Sequence, residues 1–273
     1  MKYEMNIGRI RRKGGKQQVK IIKEIWEGIP LLHVAPDDAA DTELPMVIFL
    51  HGHMSAKEHN LHYAYQLADK GIRVLLPDAH LHGEREEDQD AIQLSLRFWE
   101  IVLTSIEEVG KIHKLAKEKH LVKGEPAIGG TSMGGITTLG ALTVYPWIPA
   151  AAVMMGAANY VELANAQMTQ FESRGFTLPI TEEERANMLK TLGQFDGTKK
   201  MDSFNKRPLF FWHGEQDIIV PFGPTNDFFK KLKNSYGEAQ DRLQFLHEKE
   251  TGHAVSRPGM LAATEWLAEH LGK

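Results

Sequence analysis

A serine set between glycines, Gly130-Thr131-Ser132-Met133-Gly134, is preceded by the short apolar run Pro126-Ala127-Ile128-Gly129 and followed by a helix-like run. A hydroxyl on a sharp strand-to-helix turn stands clear of the backbone, and flanking glycines let strand and helix pass without a Cβ clash. Such a hydroxyl is a weak nucleophile at neutral pH until an imidazole takes its proton and a carboxylate orients that imidazole. The chain supplies both downstream. Residues 208–213 read as a buried strand and run into Gly214-Glu215-Gln216-Asp217-Ile218-Ile219-Val220-Pro221, which places Asp217 on the following loop. Residues 243–247 read as another strand, so His253 in Thr251-Gly252-His253-Ala254 falls on the next loop. Glu215, Glu248 and Glu250 are rival carboxylates, close in sequence to Asp217 or His253.

Acyl transfer at a serine also needs donors for the oxyanion of the tetrahedral intermediate, usually two backbone N–H groups. Met133, directly after the serine, is one expected donor. The other is expected after an early central strand, where residues 46–50 are followed by His51-Gly52-His53; Gly52 permits the sharp turn and the His53 N–H is the candidate. His51, His53, His59, His62, His80 and His82 also raise the question of a metal, since loops at one end of a parallel sheet can converge. Zinc needs three or four converging ligands, and His51 and His53 point apart on extended backbone. The expectation is therefore no metal and no cofactor, with His51 and His82 hydrogen-bonding around the oxyanion loop and lining the substrate pocket. Glu84 and Arg85 either pair and brace the same rim or belong to a solvated loop.

Five segments together resemble an α/β-hydrolase of the esterase and prolyl-oligopeptidase-like (dienelactone-hydrolase-like) kind. They are Leu50-His51-Gly52-His53, Leu76-Pro77-Asp78 with His82-Gly83-Glu84-Arg85, Gly130 to Gly135, His213-Gly214-Glu215-Gln216-Asp217 with Val220-Pro221, and Gly252-His253. The resemblance runs from about Met46 onward. It implies the fold and a serine, acid, histidine order along the chain, which Ser132, Asp217 and His253 satisfy. The family's Gly-x-x-Asp-x-x-Val-Pro pattern favours Asp217 over its rivals, and Asp78 comes too early and reads as structural. Prolyl-oligopeptidase relatives usually carry a propeller domain before the hydrolase domain. The sequence has no room for one, which favours an esterase over a peptidase.

The elements that must position these residues follow from periodicity. Residues 17–26 alternate polar and apolar, with Val19, Ile21 and Ile25 on one face, and residues 29–34 follow after Glu27-Gly28, so an antiparallel hairpin is expected at a sheet edge. Residues 46–50 and 72–76 are short apolar runs suited to parallel strands covered on both faces, with a crossover helix between them over 56–70. Residues 90–120 repeat apolar positions at helical spacing and predict one long helix. A helix over 134–145, a strand over 150–155, and final helices over 222–236 and 260–271 complete an α/β architecture. That architecture is a mostly parallel central sheet with helices on both faces. Within this single domain, residues 1–273, the segment 157–206 has a different character: helices over 164–171 and 182–192, the second with Thr181 as N-cap. One crossover does not need so many residues, so the segment predicts a small helical cap whose Phe171, Phe176 and Met188 contact substrate.

Composition agrees with a compact enzyme: 273 residues, 42% hydrophobic and 25% charged, with no cysteine for disulfides, thiol catalysis or cysteine-ligated zinc. Net charge of −4 gives no general attraction to nucleic acid, and the basic cluster at Arg9, Arg11, Arg12, Lys13 and Lys16 reads as solvated surface. No apolar run follows it to make a secretory signal, and no run is long enough to span a bilayer. The expectation is a cytoplasmic enzyme cleaving small carboxylic esters of short to medium acyl chains through an acyl-enzyme. Peptidase-like or acyltransferase chemistry on the same residues, or a non-catalytic ligand-binding relative, are the alternatives. Oligomeric state is not encoded legibly.

Overall fold

A computed structural model describes residues 18–271. The basic N-terminal cluster and Gln17 lie outside the described residues. Eight strands form one sheet in the spatial order β1-β2-β4-β3-β5-β6-β7-β8: β1 Val19–Trp26, β2 Ile29–Pro36, β3 Met46–Leu50, β4 Arg73–Pro77, β5 Ala127–Thr131, β6 Ala151–Met154, β7 Leu209–Gly214 and β8 Leu243–Glu248. β1 pairs antiparallel with β2, and β2 antiparallel with β4; every other pairing is parallel. The hairpin therefore closes one edge, as its alternation predicts. Ile25, on the same face of β1 as Val19 and Ile21, is nonetheless 68% exposed.

Alternation within the parallel strands builds two cores. Ile48, Leu75, Ile128, Val153 and Phe211 face one side, while Val47, Val74, Ala127, Ala152 and Phe210 face the other. Successive side chains leave a strand on opposite faces, so a strand apolar at every position has to be covered twice. Helices α1 Leu61–Ala68 and α8 Arg257–Leu271 cover the second face through Tyr63, Leu67, Trp266 and Leu267. The first face is covered by α3 Phe98–Glu118, α4 Met133–Val144 and α7 Phe222–Tyr236. Each large apolar side chain fully buried this way contributes about 1.5–3 kcal/mol.

Several boundaries differ from the sequence pattern, among them the start of the helix expected from 164, which lies at Tyr160, and that of α8, Arg257 against the expected 260. The long helix expected over 90–120 is two helices, α2 Ala91–Leu96 and α3, broken at Arg97 with φ −92° and ψ 7°. Leu94 and Phe98 stay four residues apart across the break, so apolar spacing does not reveal it. The crossover over 56–70 is helical in its second part only, a short 3-10 turn over Lys57–Asn60 leading into α1.

The segment 157–206 contains α5 Tyr160–Ser173 and α6 Glu182–Leu192. Its ends are core: Ala157, Ala158, Tyr160, Leu163, Ala164, Leu192 and Phe204 all join the first cluster. Tyr160 donates from its hydroxyl to the Ile136 carbonyl of α4 at 2.5 Å, and the Trp99 indole of α3 donates to Gln167 at 2.8 Å. Solvent-facing character is concentrated between these ends, in the second half of α5, the turn over 174–181 and α6. There Thr181 caps α6 by a reciprocal box with Glu184.

Candidate active site

Ser132 joins β5 to α4 with φ 55° and ψ −114°, a region that side chains other than glycine rarely adopt. The turn is fixed from both sides. Ser132 N–H donates to the Met154 carbonyl at 2.8 Å, and a Cβ on Gly130 would collide with the backbone of Gly134. A Cβ on Gly134 would in turn strike the Leu50 carbonyl, so the first turn of α4 presses directly on the end of β3. Close approach therefore requires both glycines.

The Ser132 hydroxyl donates to Nε2 of His253 at 2.8 Å, and His253 Nδ1–H donates to Asp217 Oδ2 at 2.7 Å. Asp217 is buried, and its Oδ1 accepts the backbone N–H groups of Ile219 and Val220, each at 2.9 Å. Burial opposes ionisation of this carboxyl, but hydrogen bonds from His213, His253 and the Val220 N–H outweigh it and hold its pKa well below the usual carboxylate range. His213, wholly buried on β7, donates from Nε2 to the Val220 carbonyl at 2.8 Å and lies 3.4 Å from Asp217 Oδ2. It thus grips the turn that carries the acid. The sequence reading used His213 only as part of a motif; its position four residues before Asp217 was the available signal.

Two of the rival carboxylates, Glu215 and Glu248, are engaged elsewhere. Glu215 accepts from His247 Nδ1 at 2.7 Å. Glu248 collects the Trp212 indole N–H at 3.1 Å, the Thr251 hydroxyl at 3.2 Å and the Ser256 hydroxyl, tying down both sides of the loop that carries His253. Asp78 is buried and accepts from the Lys57 N–H at 3.0 Å, from Lys57 Nζ at 2.5 Å and from the Glu84 N–H at 3.0 Å. Lys57, itself 1% exposed, also contacts Glu84 at 2.7 Å. Burial works against its charge, yet these carboxylates raise its pKa. Glu84 and Arg85 do not pair with each other: Glu84 meets Lys57 and Lys23, while Arg85 forms a two-pronged pair with Glu108 at 2.8 and 2.9 Å.

Gly52 brings the loop after β3 onto the elbow, since a Cβ there would sit 3.4 Å from Ser132 Cβ. Met133 is buried in the first turn of α4. The histidines after β3 and β4 hydrogen-bond around the loop that follows Gly52. His51 and His82 are each 2% exposed, and both nitrogens of each ring are taken up by backbone. His51 Nδ1 donates to Gly52 O at 2.8 Å while Nε2 accepts the Ala79 N–H at 2.9 Å. His82 Nδ1 donates to His80 O at 2.9 Å while Nε2 accepts the Met54 N–H at 3.0 Å. With both nitrogens spent on backbone, these rings fasten the two loops together, and the His82 ring also lines the pocket beside Met54. Burial pushes the pKa of His51 down to about 4 and lowers that of His82, so both stay neutral near pH 7.

His53 stacks edge-on against His82 and Phe98, its pKa pushed down to about 4, chiefly by burial. Beside Met54 lies an open pocket of about 280 Å³ lined by Met54, Leu81, His82, Glu86, Leu94 and neighbours on α2. Phe171 and Phe176 meet each other edge to face, with centroids 6.2 Å apart and Phe176 42% exposed. Met188 packs at the margin of the first core. Among the described residues, no group of three or more His, Cys, Asp or Glu is placed to hold a metal ion, and no helix is long and apolar enough to cross a membrane.

A model of the prolyl oligopeptidase family matches residues 103–273, a span that contains Ser132, Asp217 and His253. The chain belongs to the prolyl oligopeptidase family. YitV of Bacillus subtilis is 42% identical over 254 residues, covering 93% of this chain and 100% of that protein. YjfP of Escherichia coli is 32% identical over 249 residues, covering 89% and 96%. Both relatives carry the word esterase in their names. Of solved structures, TT1662 from Thermus thermophilus superposes with a TM-score of 0.73 at 21% identity, over 93% of this chain and 99% of that one. Est1E from Butyrivibrio proteoclasticus, bound to ferulic acid, gives 0.67 at 19% identity over 92% and 100%. At those identities the structures speak to the fold, an α/β-hydrolase. Kinship and fold together place this member of the prolyl oligopeptidase family among the serine esterases.

Proposed function

We propose that the protein hydrolyses small carboxylic esters through an acyl-enzyme formed on Ser132. The observation that carries this reading is the unbroken hydrogen-bond series from the Ser132 hydroxyl through His253 to Asp217, mounted on a strained elbow. Ser132 Oγ attacks the acyl carbonyl as its proton passes to His253 Nε2, and Asp217 stabilises the imidazolium that forms. The N–H groups of Met133 and His53 receive the oxyanion; such donors act only on charge that develops in the transition state, so they lower the barrier rather than tighten substrate binding. His253 then protonates the leaving alkoxide, the alcohol departs, and water attacks the ester carbonyl of the acyl-enzyme by the reverse route.

The pocket beside Met54 supports a short to medium acyl group. Its volume, about 280 Å³, is at the small end for ligand sites, and Met54, Leu81, Ala91 and Leu94 give it an apolar part. The test is a panel of p-nitrophenyl esters from acetate to palmitate beside aminoacyl p-nitroanilides, with fluorophosphonate labelling of the wild type and Ser132→Ala. Ester turnover and labelling that both require Ser132, with little anilide turnover, is the expected result. Dominant anilide turnover would make the enzyme a peptidase. Neither turnover nor labelling would make it a binding protein.

A further inference from the structure

Two loops meet at the elbow, one after β3 carrying His51 to Met54 and one after β4 carrying Asp78 to Arg85. Each contributes one buried histidine, and the two are wired reciprocally. His51 accepts an N–H from the β4 loop at Ala79 and donates to its own loop at Gly52. His82 accepts an N–H from the β3 loop at Met54 and donates to its own loop at His80. The rings lie 5.3 Å apart. Because each Nδ1 faces a carbonyl, the proton must reside there, and each Nε2 lone pair is left to accept.

Of the two contacts, the one to Met54 falls where the backbone is least able to hold itself. Met54 has φ 56° and a side chain 63% exposed, so neither favourable torsion nor packing keeps it in place. It directly follows His53, and a change at Met54 φ turns the peptide that joins them and frees the loop holding the His53 N–H. The other end of the clasp is rigid. Leu81 shares a positive φ of 62° but is buried, 3% exposed, and Gly83 packs so tightly that a Cβ there would overlap the Asp78 carboxylate. Asp78 is anchored by Lys57 and by the Glu84 N–H.

We propose that His82 is a positioning residue for the oxyanion site: its neutral Nε2, held by the Asp78–Lys57 anchor, fixes Met54 and thereby the aim of the His53 N–H. The inference rests on the esterase reading above. A protonated His82 would present N–H to N–H at Met54 and release the loop. The titratable groups facing it are His51, His53, His80, Asp78 and Glu86.

The experiment compares His82→Gln, His82→Asn and His82→Leu. Gln carries its carbonyl oxygen about as far out as Nε2 and can accept the Met54 N–H; Asn is too short, and Leu has no acceptor. With p-nitrophenyl acetate, His82→Asn and His82→Leu should lose kcat by about 10–100-fold, the scale of a misaimed oxyanion donor, with KM within about twofold. Affinity for an alkyl trifluoromethyl ketone, which forms a tetrahedral oxyanion on the serine, should fall in parallel. His82→Gln should recover most of both. Should His82→Leu fail to fold, the Gln and Asn pair still decides, since both are polar and differ in reach. Equal activity of Gln and Asn variants, or kcat and KM lost together in proportion to stability, would overturn the proposal. Wild-type ester turnover dependent on Ser132 is the control: without it the esterase reading fails, and with it only the role of His82 is at stake.

Discussion

The two ends of the parallel strands bury polar groups in opposite ways. At the ends where the strands begin, Arg73 and Arg207 are buried guanidinium groups, 0% and 6% exposed. Arg73 donates to the carbonyls of Thr42, Ala39, Ala40 and Leu121 and to His33 Nε2. Arg207 donates to those of Leu142, Tyr145, Ile148, Ser203 and Phe204. Each cation gathers chain ends from several loops and keeps its charge; even where burial lowers Arg207, its pKa stays about 10. At the ends where the strands finish, the buried groups include the histidines His51, His82 and His213 beside the carboxylates Asp78 and Asp217. One end is built around guanidinium donors that serve backbone carbonyls, the other around imidazoles and carboxylates that include the Ser132–His253–Asp217 series. Ligands in open parallel sheets bind at the second end, and the chemistry buried there fits that rule.

The sharpest way to break this comparison is at the elbow. Ser132→Ala and His253→Ala should each reduce kcat by up to about 10⁶-fold, with the double variant little worse, because the residues act as one unit. Asp217→Asn should cost about 10⁴-fold by stabilising the wrong imidazole tautomer. If Glu248→Gln proved the more damaging change, the acid would have to be reassigned. Steady-state kinetics of purified variants, with folding checked by circular dichroism, measure both.

At the other end the expected loss is of stability rather than chemistry. Arg73→Met removes the donor from several buried carbonyls, and breaking a buried charged network of this kind costs about 3–5 kcal/mol. Urea denaturation should register that loss while kcat of the folded fraction stays within about twofold. A kcat that fell along with the midpoint would mean that the two ends are mechanically coupled and the contrast is false.

Acid should affect the two ends unequally as well. Burial pushes the His51 pKa down to about 4 in the folded protein, against about 6.5 for an unperturbed imidazole. Between those values the unfolded chain binds more protons than the folded one, so stability falls as pH drops through that window. The contribution is fully present above about pH 6.5, and the loss, roughly 3 kcal/mol for a shift of this size, is complete near the folded pKa. Asp217, with its pKa depressed, adds stability above its unfolded value that is lost at still lower pH. Denaturation midpoints measured from pH 7 to 4 should show the decline, and His51→Gln should flatten it. A decline unchanged in that variant would assign the acid sensitivity elsewhere.

How much of this was legible in the sequence depends on the range of the interaction. Ser132, Asp217 and His253 are each marked by a local pattern at a strand end, and the sequence-ordered motifs found the residues that the fold brings into hydrogen-bond contact. The N-cap at Thr181 was legible for the same reason, because its partner Glu184 is three residues away. The start of α5 was not: Val161 N–H is capped by Asp196 Oδ2 at 3.0 Å, from 35 residues downstream. His51 and His82 belong with α5. Their type and place were visible, but the partner that consumes each ring lies on the other loop, and without it an accessible pocket histidine and a buried loop tie look alike. Arg73 and Arg207 were equally silent, since their acceptors are carbonyls, which every residue has.

The smallest effects concern which region meets the acyl chain. Phe171 and Phe176 belong to the segment 157–206, but much of its apolar content is accounted for by Leu163, Met168 and Leu192 entering the core. The pocket lined by Met54, Leu81 and Leu94 lies instead beside the loop that carries His53. Met54 is two residues from Gly52, a reach of at most about 7 Å, and Gly52 packs on Ser132. Leu94→Ala should therefore widen the pocket and shift the preferred acyl chain upward by one or two methylenes, with acetate nearly unaffected. Leu94→Phe should shift it down. Discrimination of this kind is worth only about 1–3 kcal/mol per methylene, so kcat/KM across the p-nitrophenyl ester series should tilt rather than switch. Phe171→Ala and Phe176→Ala should leave that tilt unchanged. If they moved it and the Leu94 variants did not, the hairpin of α5 and α6 would have to close over Ser132 in the presence of substrate, and the pocket by α2 would be solvent-filled surface.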